Sequence, residues 1–447
     1  KRAVIERDDD TLTPNEVKQH RSEVESSMLQ ELHTWSKYKC FSRRPRKGAR
    51  NIIDCRWVLK WKYEHPTVDA TASTQTTTTK VRRVIRARLT VRGFKDLEAR
   101  NIDNYAGTSQ RYSQRLLVSE AVCQGWDICT TDISKAFLQG VTYEELSEAT
   151  GEPIREVNFD LPPGSVPLLR KVAGFESFNP VQEVLHCDKP GTGLVDAPRC
   201  FSMKLAKITK GECGLIPSTV DPELCMKHQS RGSLIYLVCI LTKHVDDLKI
   251  AGEINEVLTV LRKIQEVFGE LKILWNDFTN CGVRHRQDKT TKEITLGQVE
   301  YLTKVKTISH PMLAKGLTTN ADASTELHQL YMSLLGAVAY MALTRPDAVV
   351  YISALQRFNH APKVIHVKRL NALTRWLQRN PKGLHYPQLF GSDKKAARWT
   401  SQIQYHMKVS SDAAFKKEEE KGHSMRGAAF IRALGSDESS YTASAPG

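Results

Sequence analysis

The chain has 447 residues, 26% of them charged, and carries a formal net charge of +15 at pH 7. That length supports two to four domains with sizeable cores. No apolar run approaches a membrane span and no signal peptide opens the chain, so no membrane partner is expected. Lys and Arg are dense in residues 43–50, 80–92, 284–292 and 363–379, a distribution that suits a protein tracking a phosphate backbone. The ten cysteines form no Cys-x-x-Cys pair and complete no zinc spacing with His, so they read as reduced, mostly buried thiols of an intracellular protein.

In chain order, residues 15–32 predict a helix, with Val24, Met28 and Leu32 at helical spacing. Residues 51–63 predict a strand built on Ile52, Ile53, Trp57, Val58, Leu59 and Trp61, and residues 84–91 its antiparallel partner. Between them residues 67–79, nearly all Thr, Ser and Ala, read as a mobile loop, which makes the pair a basic flap. A strand over 126–131 leads to Asp132 and then to Ala136-Phe137-Leu138. Apolar runs at 234–241 and 248–251 flank His244-Val245-Asp246-Asp247, the pattern of strand, tight turn and strand with both acids at the tip. Residues 258–268 predict an amphipathic helix with Leu258, Leu261, Ile264, Gln265 and Phe268 near one stripe, and 294–296 a short strand. A polar linker over 316–325 precedes a helical region, 327–377, interrupted at Arg345-Pro346 and Ala361-Pro362. Residues 409–415 and 428–431 are further strand candidates.

Two carboxylates a few ångströms apart repel by roughly 4 kcal/mol at an effective dielectric near 20, so a buried Asp-Asp pair calls for a positive partner. An Asp-Asp pair alone is more often a solvated turn; apolar strands on both sides argue against that here. With Asp132 as a third acid, the set can hold two Mg²⁺ ions for in-line phosphoryl transfer.

Several motifs, in order, resemble the reverse transcriptase region of copia-type LTR retrotransposon Pol polyproteins, from about residue 23 to 429. They are Cys55-Arg56-Trp57-Val58-Leu59-Lys60-Trp61-Lys62, Arg86-Ala87-Arg88-Leu89-Thr90-Val91-Arg92-Gly93-Phe94, Gly125-Trp126-Asp127-Ile128 running on to Asp132 and Gly140, and Leu161-Pro162-Pro163-Gly164. Gly193-Leu194-Val195-Asp196-Ala197-Pro198-Arg199, His244-Val245-Asp246-Asp247, Leu343-Thr344-Arg345-Pro346-Asp347 and residues 362–366 follow. The resemblance implies an α+β right-hand polymerase of fingers, palm, thumb and connection, with a truncated ribonuclease H-like segment at the C-terminus. The expected divisions are an N-terminal helical extension (1–50), fingers and palm (51–275), a thumb-like region and linker (276–325), a helical connection (326–402) and the partial ribonuclease H-like segment (403–447).

By the same resemblance Asp132, Asp246 and Asp247 are the catalytic, metal-binding aspartates for Mg²⁺ or Mn²⁺. Arg86 and Arg88 bind incoming phosphates, and Phe137 is an aromatic gate against a ribose 2′ hydroxyl. The implied function is an RNA-directed DNA polymerase acting on an RNA template, DNA primer, RNA/DNA hybrid and deoxynucleoside triphosphates. It would work beside other Pol and Gag segments in cytoplasmic particles and the nucleus. Asp412 falls on the first ribonuclease H metal ligand, but 447 − 412 = 35 residues follow it without the rest of that acidic cluster, so no ribonuclease H activity is expected. Two positions depart from the family pattern. His244 stands in place of Tyr, and Asp196 in place of Gln, where it would face triphosphate oxygens unless it turns away or binds metal. They support an alternative: a catalytically inactive transposon remnant that only binds nucleic acid. The opening residue, Lys1, suits a piece of a longer product.

Overall fold

A computed structural model of the chain describes residues 10–64, 82–314, 318–388, 405–414 and 425–434; the predicted loop at 67–79 lies outside them. The first helical stretch is two helices, not one. Thr13 caps Pro14–Gln19, its hydroxyl accepting from the Glu16 N–H while the Glu16 carboxylate accepts from the Thr13 N–H at 2.8 Å, a reciprocal cap that satisfies two orphan donors. His20 leaves helical geometry, and Arg21–Lys37 follows, burying Val24, Leu32 and Trp35.

Strands Ile52–Glu64 and Arg82–Val91 pair antiparallel, with Val58 opposite Arg88 and Lys60 opposite Arg86. Because side chains alternate along a strand, Leu59, Trp61 and Ile85 pack with Leu12 and Val24 of the N-terminal segment, while Trp57 and Leu89 join a larger core with Leu32 and Trp35. The opposite face is left to Arg56, Lys60, Lys62, Arg86 and Arg88. These two strands lie at one side of a five-stranded sheet with Phe41–Pro45, Glu183–Cys187 and Asn158–Asp160. Glycine is required where the loop before Asp196 crosses this sheet: Gly193 has φ +103°, and a Cβ on it would sit 2.1 Å from the Val91 carbonyl.

A six-stranded sheet follows, in the order Lys272–Trp275, Ile128–Asp132, Asp247–Gly252, Leu234–His244, Leu224–Arg231 and Ile216–Pro217. Helix Ile254–Phe268 covers one face through Val257, Val260, Leu261, Ile264 and Phe268, against Cys129, Leu241, Leu248 and Ile250. Burying each Leu, Ile, Val or Phe contributes about 1.5–3 kcal/mol, so this face anchors the hairpin that carries the two acids. Two residues of the predicted stripe, Leu258 and Gln265, are exposed instead. The helix begins four residues earlier than expected, and its apolar stripe runs through Val257 and Val260. Leu117, Val118, Ala121 and Val122 of helix Arg111–Gln124 cover the other face, with Ile128, Ile240 and Ala251.

A four-stranded sheet, Asp277–Asn280, Val283–Gln287, Ile294–Gly297 and Leu384–Tyr386, takes three strands from the 276–325 segment and one from 326–402. Helices Thr325–Ala339, Val349–Gln356 and Val364–Arg379 pack around a core of their own. The break at Arg345 is held by that side chain, which is buried, ion-paired with Asp347 at 2.8 Å and bonded to the Asn380 carbonyl at 2.7 Å. Strands Tyr405–Ala414 and Met425–Leu434 form an antiparallel hairpin. The described residues therefore have a mixed α+β fold, and no helix among them is long and apolar enough to cross a membrane.

Candidate active site

Asp132 ends its strand directly opposite Asp247, the first residue of the neighbouring strand. Asp247 also pairs with His244 across the hairpin, so Val245 and Asp246 form a two-residue turn. Val245 has φ 60°, a left-handed conformation that costs an L-residue roughly 1–2 kcal/mol, more for a β-branched one. Neighbours hold the strained turn: the Val245 N–H donates to the Gly107 carbonyl at 3.3 Å, the Ser109 N–H to the Lys243 carbonyl at 2.9 Å, and the Ile133 N–H to the Asp246 carbonyl at 3.3 Å. Lys243, buried in the adjoining strand, is paired with buried Glu223 at 3.0 Å.

The three acids affect one another. Burial and the charges of Asp132 and Asp247 raise the pKa of Asp246 above the usual carboxylate range. Burial and Asp132 raise that of Asp247, opposed by His244 and by a hydrogen bond from the Cys281 backbone. A cation would relieve this repulsion, and an all-carboxylate donor set suits a hard divalent ion such as Mg²⁺ or Mn²⁺. Among the described residues no group of three or more His, Cys, Asp or Glu side chains stands arranged to hold a metal ion; the acids form a neighbourhood, not a finished cage.

Arg86 is half-buried and Arg88 exposed, both on the basic face of the flap. Lys62, which motif reading passed over as a site residue, joins them. Its pKa is lowered by burial and by the charges of Arg86 and Arg88, and pulled back up by Asp132. Lys62 thus senses both the basic flap and the acid site. Phe137 lies in the short turn Ala136–Leu138, half-buried against the core beneath the six-stranded sheet. Asp412 lies on strand Tyr405–Ala414 opposite Gly427.

Of the three alternatives for Asp196, facing triphosphate oxygens, binding metal or turning away, the structure shows the last. Asp196 is fully buried at the start of helix Ala197–Ala206 and ion-paired with Arg155, which also bonds Asp96, Glu98 and the Tyr143 hydroxyl. Burial raises its pKa, and Arg155 holds that rise back.

Beneath the acid hairpin sits a group that sequence reading did not single out. Lys249 is 2% exposed, bonded to the His285 Nε2 at 3.3 Å, and burial lowers its pKa to about 7. A lysine in the unfolded chain titrates near 10.4, so unfolding takes up a proton between about pH 7 and 10.4. Parent stability therefore rises with pH across that window and is lost as pH falls through about 7. Lys249→Met is expected to stabilise the fold by on the order of 2 kcal/mol at pH 7, with the gain shrinking towards pH 10. Urea unfolding of both chains at pH 7 and 9.5 checks this; an equal gain at both pH values contradicts it.

No family model matches the chain. The retrovirus-related Pol polyprotein from transposon RE1 of Arabidopsis thaliana is 22% identical over 360 residues, 78% of this chain. That from transposon TNT 1-94 of Nicotiana tabacum is 23% identical over 378 residues, 80% of this chain. The chain is similar to retrotransposon Pol polyproteins. It spans 21% and 25% of the length of these two relatives. Among solved structures, a foamy viral protease-reverse transcriptase in complex with double-stranded DNA is similar over 78% of this chain and 49% of that one, at 12% identity and a TM-score of 0.38.

Proposed function

We propose that the chain is the RNA-directed DNA polymerase segment of a copia-type retrotransposon polyprotein, which adds deoxynucleotides to a primer on an RNA template. The observation that carries this reading is Asp132 in register with Asp247 of a clamped Asp-Asp hairpin, with Lys62 within electrostatic reach of both Asp132 and the Arg86–Arg88 strand. Asp132, Asp246 and Asp247 would hold Mg²⁺ or Mn²⁺. When bound, the metal supplies Lewis-acid activation of the primer 3′ hydroxyl and neutralises charge at the leaving pyrophosphate.

The chain's own residues do the rest. Arg86, Arg88 and Lys62 bind the triphosphate, the arginines through paired N–H donors that match phosphate oxygens. Phe137 excludes a 2′ hydroxyl, and His244 packs against the primer end. Residues 51–275 serve as fingers and palm, 276–325 as a thumb-like region, 326–402 as connection, and 403–447 as a partial ribonuclease H-like segment around Asp412. The setting is a cytoplasmic particle followed by nuclear entry, among other Pol and Gag segments.

A charged hydrogen bond contributes about 1.5–3 kcal/mol. Lys62→Ala and Arg86→Ala are therefore each expected to raise the nucleotide KM about tenfold or more, with the Kd for a primed RNA/DNA hybrid changed less than about threefold. Steady-state extension and hybrid binding at one fixed salt concentration test this. Equal losses in both would assign these residues to the duplex and not to the nucleotide. The second reading, a remnant that binds nucleic acid without chemistry, is favoured by His244, which stands beside the acid turn opposite Asp247 where the family pattern has Tyr.

A further inference from the structure

Residues 132–139 run from a site acid to the aromatic turn, and hydrogen bonds hold both ends of the segment. At its start the Ile133 N–H donates to the Asp246 carbonyl at 3.3 Å. At its end the Gln139 side chain donates to the Ser134 carbonyl at 2.9 Å and to the Phe268 carbonyl at 3.1 Å, while the Cys40 thiol donates to the Leu138 carbonyl at 3.4 Å. Between these anchors Lys135 has φ 58° and ψ 32°, a left-handed conformation that an L-residue other than Gly seldom adopts. It turns the chain into Ala136–Leu138, where the Leu138 and Gln139 N–H groups donate to the Lys135 and Ala136 carbonyls, each at 2.9 Å. Phe137 is the middle residue of that turn.

The side chain of Lys135 is held by the N-terminal helix. Its ammonium pairs with the Glu31 carboxylate at 2.5 Å across 104 residues of sequence. Glu31 lies on helix Arg21–Lys37 and is 4% exposed. One of its oxygens takes the Lys135 ammonium, and the other accepts from the Trp35 indole N–H at 3.3 Å. Leu32 and Trp35, on the same helix, belong to the core beside it. A buried ion pair adds little stability over an apolar pair of the same volume. What this one adds is geometry, because a buried carboxylate with both oxygens engaged fixes where the ammonium must lie. Backbone strain of the kind found at Lys135 persists where the surroundings over-determine it, and such positions cluster at ligand clamps.

We infer that Glu31 and Lys135 form a positioning pair for sugar selection: by holding Lys135 in its left-handed conformation, the N-terminal helix fixes the turn that presents Phe137 to the nucleotide. This rests on the reading of Phe137 as the residue that excludes a 2′ hydroxyl. The pair acts through Phe137, so its loss affects the choice between deoxyribonucleotides and ribonucleotides and not only the rate.

The test is single-nucleotide addition to a primed RNA template by the full chain. The ratio of kcat/KM for a deoxynucleotide to that for the matching ribonucleotide is compared in the parent, Glu31→Gln, Lys135→Met, the double variant and Phe137→Ala. The ratio is independent of the folded fraction, since loss of folded protein lowers both rates alike. In the double variant no charge is left buried without its partner, and Gln at position 31 can still accept from Trp35. Each single variant is expected to lower the ratio about tenfold, the scale on which small displacements of a positioned group act. The double variant is expected to lower it no further, and Glu31→Gln to add nothing once Phe137 is Ala. Rates that fall equally for both sugars, with the ratio at the parent value, overturn the inference and leave the pair a structural one. A further drop in the Phe137→Ala background overturns it as well, since the pair would then act elsewhere. Phe137→Ala with the parent ratio overturns the reading of Phe137, and the inference with it. A parent that adds neither nucleotide overturns the polymerase reading on which both rest.

Discussion

Asp247→Asn is expected to cut primer extension at least about a thousandfold, close to 4 kcal/mol of transition-state stabilisation at 1.36 kcal/mol per tenfold, while leaving the chain no less stable. The two effects have one cause. Asp247 lies opposite Asp132 and is half-buried, and its raised pKa reflects burial and repulsion by Asp132 that His244 offsets only in part. Removing the charge removes that cost and, with it, a ligand for the cation. Sites kept for function at the expense of stability behave in this way. Single-turnover extension and urea unfolding in chelator measure the two quantities. Extension within tenfold of the parent, or a loss of more than about 2 kcal/mol of stability, would show that Asp247 is a structural residue.

Asp196→Gln is expected to destabilise the fold by about 3 kcal/mol and to bring no gain in extension. Arg155 is buried against Asp196 and Asp96, with Glu98 at 3.2 Å. Removing one carboxylate leaves a desolvated guanidinium short of counter-charge, and breaking buried pairs in this way costs about 3–5 kcal/mol; the remaining acids put the loss at the lower end. The substitution would restore the residue found in the family pattern, yet the surroundings here are built for Asp. Urea unfolding with extension assays on Asp196→Gln decides between the two. A variant as stable as the parent that extends primers faster would return Asp196 to the nucleotide site.

The acid hairpin was legible because it depends on local pattern. Residues 234–241 and 248–251 are apolar and β-rich, and the two residues between the observed strands admit little but a tight turn. Asp132 was legible for the same reason, as the polar end of a buried strand. What the pattern did not reveal depends on contacts between distant residues. The partner that neutralises Asp196 is Arg155, 41 residues earlier (196 − 155 = 41), and no periodicity links them. Lys62 read as the polar half of an alternating strand; that Arg86, Arg88 and Asp132 all act on its charge depends on the approach of segments far apart in sequence. Strand Leu384–Tyr386 completes a sheet begun at Asp277, a pairing that three residues of sequence cannot announce. Helix Ile254–Phe268 shows a smaller failure: a start misplaced by four residues moved Leu258 and Gln265 onto the buried stripe, where they do not lie.

The most direct test of the central claim is deoxynucleotide incorporation on a primed RNA homopolymer, in Mg²⁺, in Mn²⁺ and in chelator, by the parent and by the Asp246→Asn, Asp247→Asn double variant. Incorporation by the parent is expected in either metal, with none in chelator and none by the double variant. No incorporation by the parent under any condition, with salt-sensitive hybrid binding retained, would contradict it and identify a folded remnant that holds nucleic acid without chemistry.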